Sequence, residues 1–196
     1  MNRQTRTISV LFTLLCIAGS VWAQAPVSIK NMPIYKGATL TGEEIAPVEG
    51  DLISAVTRSY IVAAAPEAVV AFYEKACGVR ERFGETEDQN ELAPGKATNP
   101  GCEVYFWDED YFVDGEYGGG GSSQRAWIKK ALKSRARDKD GGWIESANMQ
   151  WYYRDTASSM TTLHVMIQDM GIDEDKKSYA HSTEIIIEVA NYDYEL

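Results

Sequence analysis

The chain has 196 residues, with 19 Lys and Arg against 29 Asp and Glu, giving a formal net charge of −10. Apolar residues make up 44% and charged residues 24%, which fits one globular domain and excludes a disordered tail, a collagen-like fibre and a multi-span membrane protein. A surface this acidic repels phosphate backbones and argues against nucleic acid as a partner.

Residues 1–23 read MNRQTRTISVLFTLLCIAGSVWA. Arg3 and Arg6 make a basic start, residues 8–18 an apolar run, and Val21-Trp22-Ala23 a small-x-small cleavage site before Gln24, as in a secretory signal peptide. An apolar run of 11 residues is too short to cross a bilayer of about 30 Å. Cys16 follows Leu14 and Leu15, whereas a lipoprotein signal needs a small residue before its cysteine. Cleavage removes 23 residues with two arginines and no acid, leaving 173 residues over 24–196 with a net charge of −12. No later segment offers 18 consecutive apolar residues, so no transmembrane segment is expected in the mature chain, and its expected location is periplasmic or secreted. Cleavage leaves two cysteines, Cys77 and Cys102. In an oxidising compartment this pair is expected to form a disulfide, closing a loop of about 26 residues and contributing roughly 3 kcal/mol. Two free buried thiols are the alternative. A closed zinc site needs four ligands, and no CxxC or HxxxH spacing occurs.

Residues 24–57 hold Pro26, Pro33 and Pro47 with Gly37, Gly42 and Gly50, and are expected to be an extended lead-in with at most short strands. Residues 58–64 (RSYIVAA) read as the first strand. Pro66 sits at a first-turn position with Glu67 beside the positive end of the helix dipole. From there Val69, Phe72, Tyr73, Ala76 and Cys77 form one apolar stripe on a helix ending at Gly78. Residues 81–100 read as a polar surface loop and 102–107 (CEVYFW) as a strand. The acidic, Gly-rich stretch 108–124 is expected to be mobile. Residues 125–137 form a second helix candidate, with Trp127, Ile128, Ala131 and Leu132 on one side and Arg125, Lys129, Lys133 and Arg137 on the other. Arg135 falls within the apolar arc, so either the helix frays there or Arg135 finds a carboxylate. Strands follow at 143–154 and 160–168, joined by a hairpin connection at 155–159, and a last strand at 184–194 is built around Ile185, Ile187 and Val189. The order predicts an α+β domain: an antiparallel-rich sheet of about five strands with two helices packed on one face.

Two segments, Pro33-Ile34-Tyr35-Lys36-Gly37-Ala38 and Ala65-Pro66-Glu67-Ala68-Val69-Val70-Ala71-Phe72-Tyr73, follow the patterns P-x-Y-x-G-A and A-P-E-x-V-x-x-F-Y. In these the chain resembles a group of small exported bacterial α+β domains of uncharacterised function, over about the first third of the mature chain. It departs from them at Lys36, where they carry Pro, and at Cys77, where they carry Leu. The resemblance implies a fold and not an activity.

Several constellations carry chemistry. Asp108, Asp110 and Asp114 offer hard oxygens for Ca²⁺, but Phe112 stands where an EF-hand loop needs a third acidic ligand and Gly119 where it needs Glu. The glycines 118–121 lack the Gly-Lys-Ser/Thr of a phosphate-binding loop. Nucleophilic catalysis has only His164 and His181 as bases; His164 shares the outer side of its strand with Thr162, Met166 and Gln168, and no G-x-S-x-G turn occurs. Residues 125–139 carry seven bases against one acid and residues 103–116 six acids and no base, so the two stretches either neutralise each other or offer a basic face. Aromatic side chains on strands, Tyr105, Trp107, Tyr152 and Tyr192, make a candidate contact row for a sugar or a peptide. The expected function is an exported, non-catalytic binding or interaction domain for an envelope protein or glycan. The alternatives are a hydrolase of envelope material working through carboxylates, or a calcium-stabilised structural module.

Overall fold

In a computed structural model of the chain, residues 29–82, 92–107, 129–173 and 178–193 are described. The signal segment, the 108–124 stretch with Asp108, Asp110 and Asp114, and residues 125–128 of the second helix lie outside them.

Alternation of apolar and polar residues builds the sheet. On β5 (Ile144–Arg154) Ala147, Met149 and Trp151 are buried; on β6 (Ser159–Asp169) Leu163, Val165 and Ile167; on β9 (Thr183–Asp193) Ile185, Ile187 and Val189. These inward residues face one another across the antiparallel ladders, as in Trp151–Leu163–Val189 and Met149–Val165–Ile187. Full burial of each large side chain contributes about 1.5–3 kcal/mol, so three aligned strands supply most of the core.

β1 (Thr39–Ala46) and β2 (Leu52–Val62) form a hairpin that joins this unit through β2 and β9. On the opposite side, β3 (Lys96–Ala97) and β4 (Gly101–Phe106) pair in succession along the same edge of β5. Between them the Thr98 amide donates to the Tyr152 carbonyl, and the Tyr152 amide to Thr98 Oγ1, at 2.9 and 3.0 Å. The antiparallel sheet therefore has seven strands, ordered β1-β2-β9-β6-β5 with β3 and β4 beyond, and not about five. The lead-in is corrected with it: β1 and the start of β2 fall within residues 24–57. The excess comes from β1, exposed along almost its whole length and so without an alternating pattern, and from a two-residue β3.

Helix α1 (Pro66–Cys77) starts at Pro66 and ends at Gly78, whose φ of 75° is the left-handed conformation that glycine adopts at least cost. Val69, Val70, Tyr73 and Cys77 pack into the main core with Val104, Met149 and Leu163. Tyr35 from the preceding segment meets Phe72 edge-on at 5.2 Å. Cys77 and Cys102 lie in this same core as buried thiols. Burial, then the neighbouring Cys102, pushes Cys77 up to about 12, and burial pushes Cys102 up to about 11.

The second helix is described at residues 129–132, followed by a turn. Its Leu132 is buried against Trp143, with Trp107, Ile172 and Tyr179 around them. Ile172 and Tyr179 belong to a short hairpin, β7 (Ile172–Asp173) and β8 (Ser178–Tyr179). Among the described residues no helix is long and apolar enough to cross a membrane.

Candidate functional site

The face of the sheet opposite the core is set by the same alternation. Three rows cross it in register. One runs Tyr105, Ser146, Gln168, Glu184 and Ile61; the next Glu103, Asn148, Met166, Ile186 and Ser59; the third Gln150, His164, Glu188 and Thr57. Most of these side chains are half-buried. Thr57 Oγ1 donates to Glu188 Oε2 at 3.3 Å, and the Tyr105 hydroxyl to Glu103 Oε2 at 2.8 Å. Burial lowers His164 below the ordinary histidine value, which Glu188 across the ladder partly offsets, so the ring is neutral at pH 7. His164, Thr162, Met166 and Gln168 share this outer side, as the sequence pattern predicts.

Where the first two rows meet, a cavity of about 250 Å³ opens. Met166 and Ile186 give it apolar surface, Ser146, Asn148 and Gln168 give neutral hydrogen-bonding groups, and Glu145 and Glu184 give carboxylates. Burial raises the Glu145 carboxyl above its ordinary value, and the negative Asp169 adds to the rise. No cationic side chain lines the cavity among the described residues.

The aromatic residues expected to form one contact row are dispersed. Tyr105 is exposed at one end of β4. Tyr152 and Tyr192 stand half-buried on the outer side at the other end of the sheet, in the ladders with Thr162 and Met160. Trp107 is not on this face: it packs against the Leu132–Trp143 cluster and its indole Nε1 donates to Asp169 Oδ2 at 3.2 Å. Phe106 carries a register shift against β5, which ends the alternation that would have kept position 107 in phase. Asp108, Asp110 and Asp114 lie outside the described residues. Among those described, no group of three or more His, Cys, Asp or Glu is placed to hold a metal ion.

A second polar assembly lies on the core side. Arg135, with no exposed side-chain surface, pairs through Nη1 with the equally buried Asp169 and through Nη2 with Glu67 Oε1 at 2.6 Å. Arg135 Nη2 also donates to the Ile144 carbonyl at 2.9 Å, and the Ile144 amide donates to Glu67 Oε1 at 2.9 Å. The Gly171 amide donates to Asp169 Oδ1, and the Tyr179 ring covers the guanidinium at 5.4 Å. Both expectations for Arg135 are met: the helix has ended by residue 132, and Arg135, three residues beyond it, finds two carboxylates. Lys139 likewise meets Glu74, so these bases of the 125–139 stretch are paired with α1 and β6. Nothing in the spacing identified Glu67 and Asp169 as partners, because they lie 68 and 34 residues away. These contacts pair the charges of the cluster with one another within the core, and the outer face with its cavity is the candidate site. Compared with models of protein families, with curated proteins and with solved structures, the chain has no match.

Proposed function

We propose that both helices cover one face of the sheet and that the opposite face is the contact surface of an exported, non-catalytic binding domain. The observation that supports it is the outer face itself: half-buried apolar and hydrogen-bonding side chains set in register around a cavity, with no described helix upon them. In this reading residues 1–23 direct export, and the oxidising compartment joins Cys77 to Cys102. The partner is an envelope protein or glycan. A photo-crosslinking residue placed at Ile186, on the outer face, is expected to give discrete adducts in the exporting cell. The same residue at Ala71, exposed on α1, is expected to give none. Equal labelling at the two positions, or labelling only at Ala71, overturns the reading.

A hydrolase working through carboxylates is the second reading, favoured by one observation. Glu145 and Glu184 share a cavity, and a carboxyl raised by burial, as at Glu145, is what an acid catalyst requires. Its check is release of reducing ends from isolated envelope glycan, which Glu145→Gln should abolish; no release by the native chain removes it.

A further inference from the structure

We infer that the outer-face cavity seats a Lys or Arg side chain of an extended basic peptide. The inference rests on the outer face being the contact surface and adds the chemistry of the partner. A cavity of about 250 Å³ falls below the range of about 300 Å³ upward that takes a drug-sized ligand, and suits one long side chain. Its surfaces are of two kinds in adjacent positions. Met166 and Ile186 offer apolar contact to an aliphatic stem, while Glu145 and Glu184 offer carboxylates to a cationic head.

The surroundings carry the same sign. Glu103 and Glu188 stand on neighbouring rows, and the only histidine in those rows, His164, is neutral at pH 7. The outer-face bases of the described strands, Lys96 and Arg154, are paired with each other in the ladder at the far end of β5, and the Arg154 guanidinium donates to the Leu92 and Ala157 carbonyls. An anionic glycan would meet repulsion from these carboxylates, with no base among the described residues lining the cavity. The occupant extends past it, because Asn148, Gln150 and Thr57 lie along adjacent rows and offer hydrogen bonds to a peptide crossing the strands.

The test is fluorescence anisotropy of a labelled penta-arginine peptide with the full mature chain, against penta-glutamate and cadaverine as competitors. Penta-arginine is expected to bind and to weaken with added salt. Glu184→Gln should weaken it about fivefold or more, while Glu81→Gln, an exposed acid beyond α1, should change it less than about twofold. Equal weakening by the two variants would mean that only the net charge attracts the peptide, and overturns the site. Competition by cadaverine as effective as by unlabelled peptide replaces the peptide with a small amine and also overturns it. Absence of penta-arginine binding while Ile186 still crosslinks removes the cationic partner and leaves the contact surface standing. Absence of both removes the surface as well.

Discussion

Arg135 and Asp169 meet with both side chains wholly withdrawn from solvent, one from the turn that follows the second helix and the other from the last position of β6. Glu67 at the first turn of α1 completes the cluster, so one guanidinium ties together two helical segments and the central sheet. Removing one partner leaves an uncompensated buried charge. Arg135→Ala is therefore expected to cost about 3–5 kcal/mol in urea unfolding at pH 7. Pairing Arg135→Met with Asp169→Asn should recover part of that loss, with a coupling above about 1 kcal/mol in the double-mutant cycle. Additive losses would mean that the two side chains do not act together.

Gly171 allows the β7–β8 hairpin to close over this cluster. A Cβ there would overlap the Ala180 carbonyl oxygen and the Tyr179 ring, and the carbonyl belongs to backbone that cannot step aside. Gly171→Ala is expected to lose about 1–3 kcal/mol. Gly42→Ala, which meets nothing within 4 Å, should change stability by less than about 0.5 kcal/mol. Urea midpoints of the two variants, measured side by side, decide it.

The cysteines give opposite outcomes in the two redox states. Reduced, Cys77 and Cys102 are buried and protonated, so neither should react with a disulfide reagent at pH 8 until the chain is unfolded. Exported, the chain should carry no titratable thiol even in denaturant, with a mass about 2 Da below the reduced form and roughly 3 kcal/mol of added stability. Thiols recovered from the exported protein would refute the pairing.

Acidification should act through Asp138. Burial tends to raise its carboxyl, but the Arg82 guanidinium, hydrogen-bonded to it and to Glu74, holds it below the ordinary range. A carboxyl lowered on folding binds its proton more weakly in the native state. Its contribution is complete above about pH 4 and lost as pH falls through the lowered value. Arg82→Gln should cost about 2 kcal/mol at pH 7, and the gap from the native chain should narrow as the pH drops toward 2. A gap independent of pH would place the effect elsewhere.

What the sequence made legible follows from what each signal measures. The apolar stripe and the Pro66 and Gly78 boundaries of α1 report local geometry, as does the alternation of β5, β6 and β9, and all of these appear in the fold. β1 buries almost nothing, so its strand nature depends on pairing with β2, which no local pattern records. Arg135 was conspicuous because it broke the stripe, while its partners were ordinary acids until the sheet brought them close. The same holds for the candidate site: His164 could be assigned to the outer side from its neighbours on β6, but the cavity forms between β5, β6 and β9. Aromatic content misled at Trp107, because a one-residue irregularity after Tyr105 changes which side the next residues face.

The strand order also constrains how the chain is made. β9, the last of the described strands in sequence, lies between β2 and β6 and, among the described residues, is the bridge from the β1–β2 hairpin to the β5–β6 unit. A polypeptide emerging amino end first holds two unconnected pieces of sheet until residues 183–193 arrive. Until then the Ile61 edge of β2 and the Leu163 edge of β6 are open to whatever strand comes near, another nascent copy included. Completion of the sheet is thus a late and cooperative event that waits for β9.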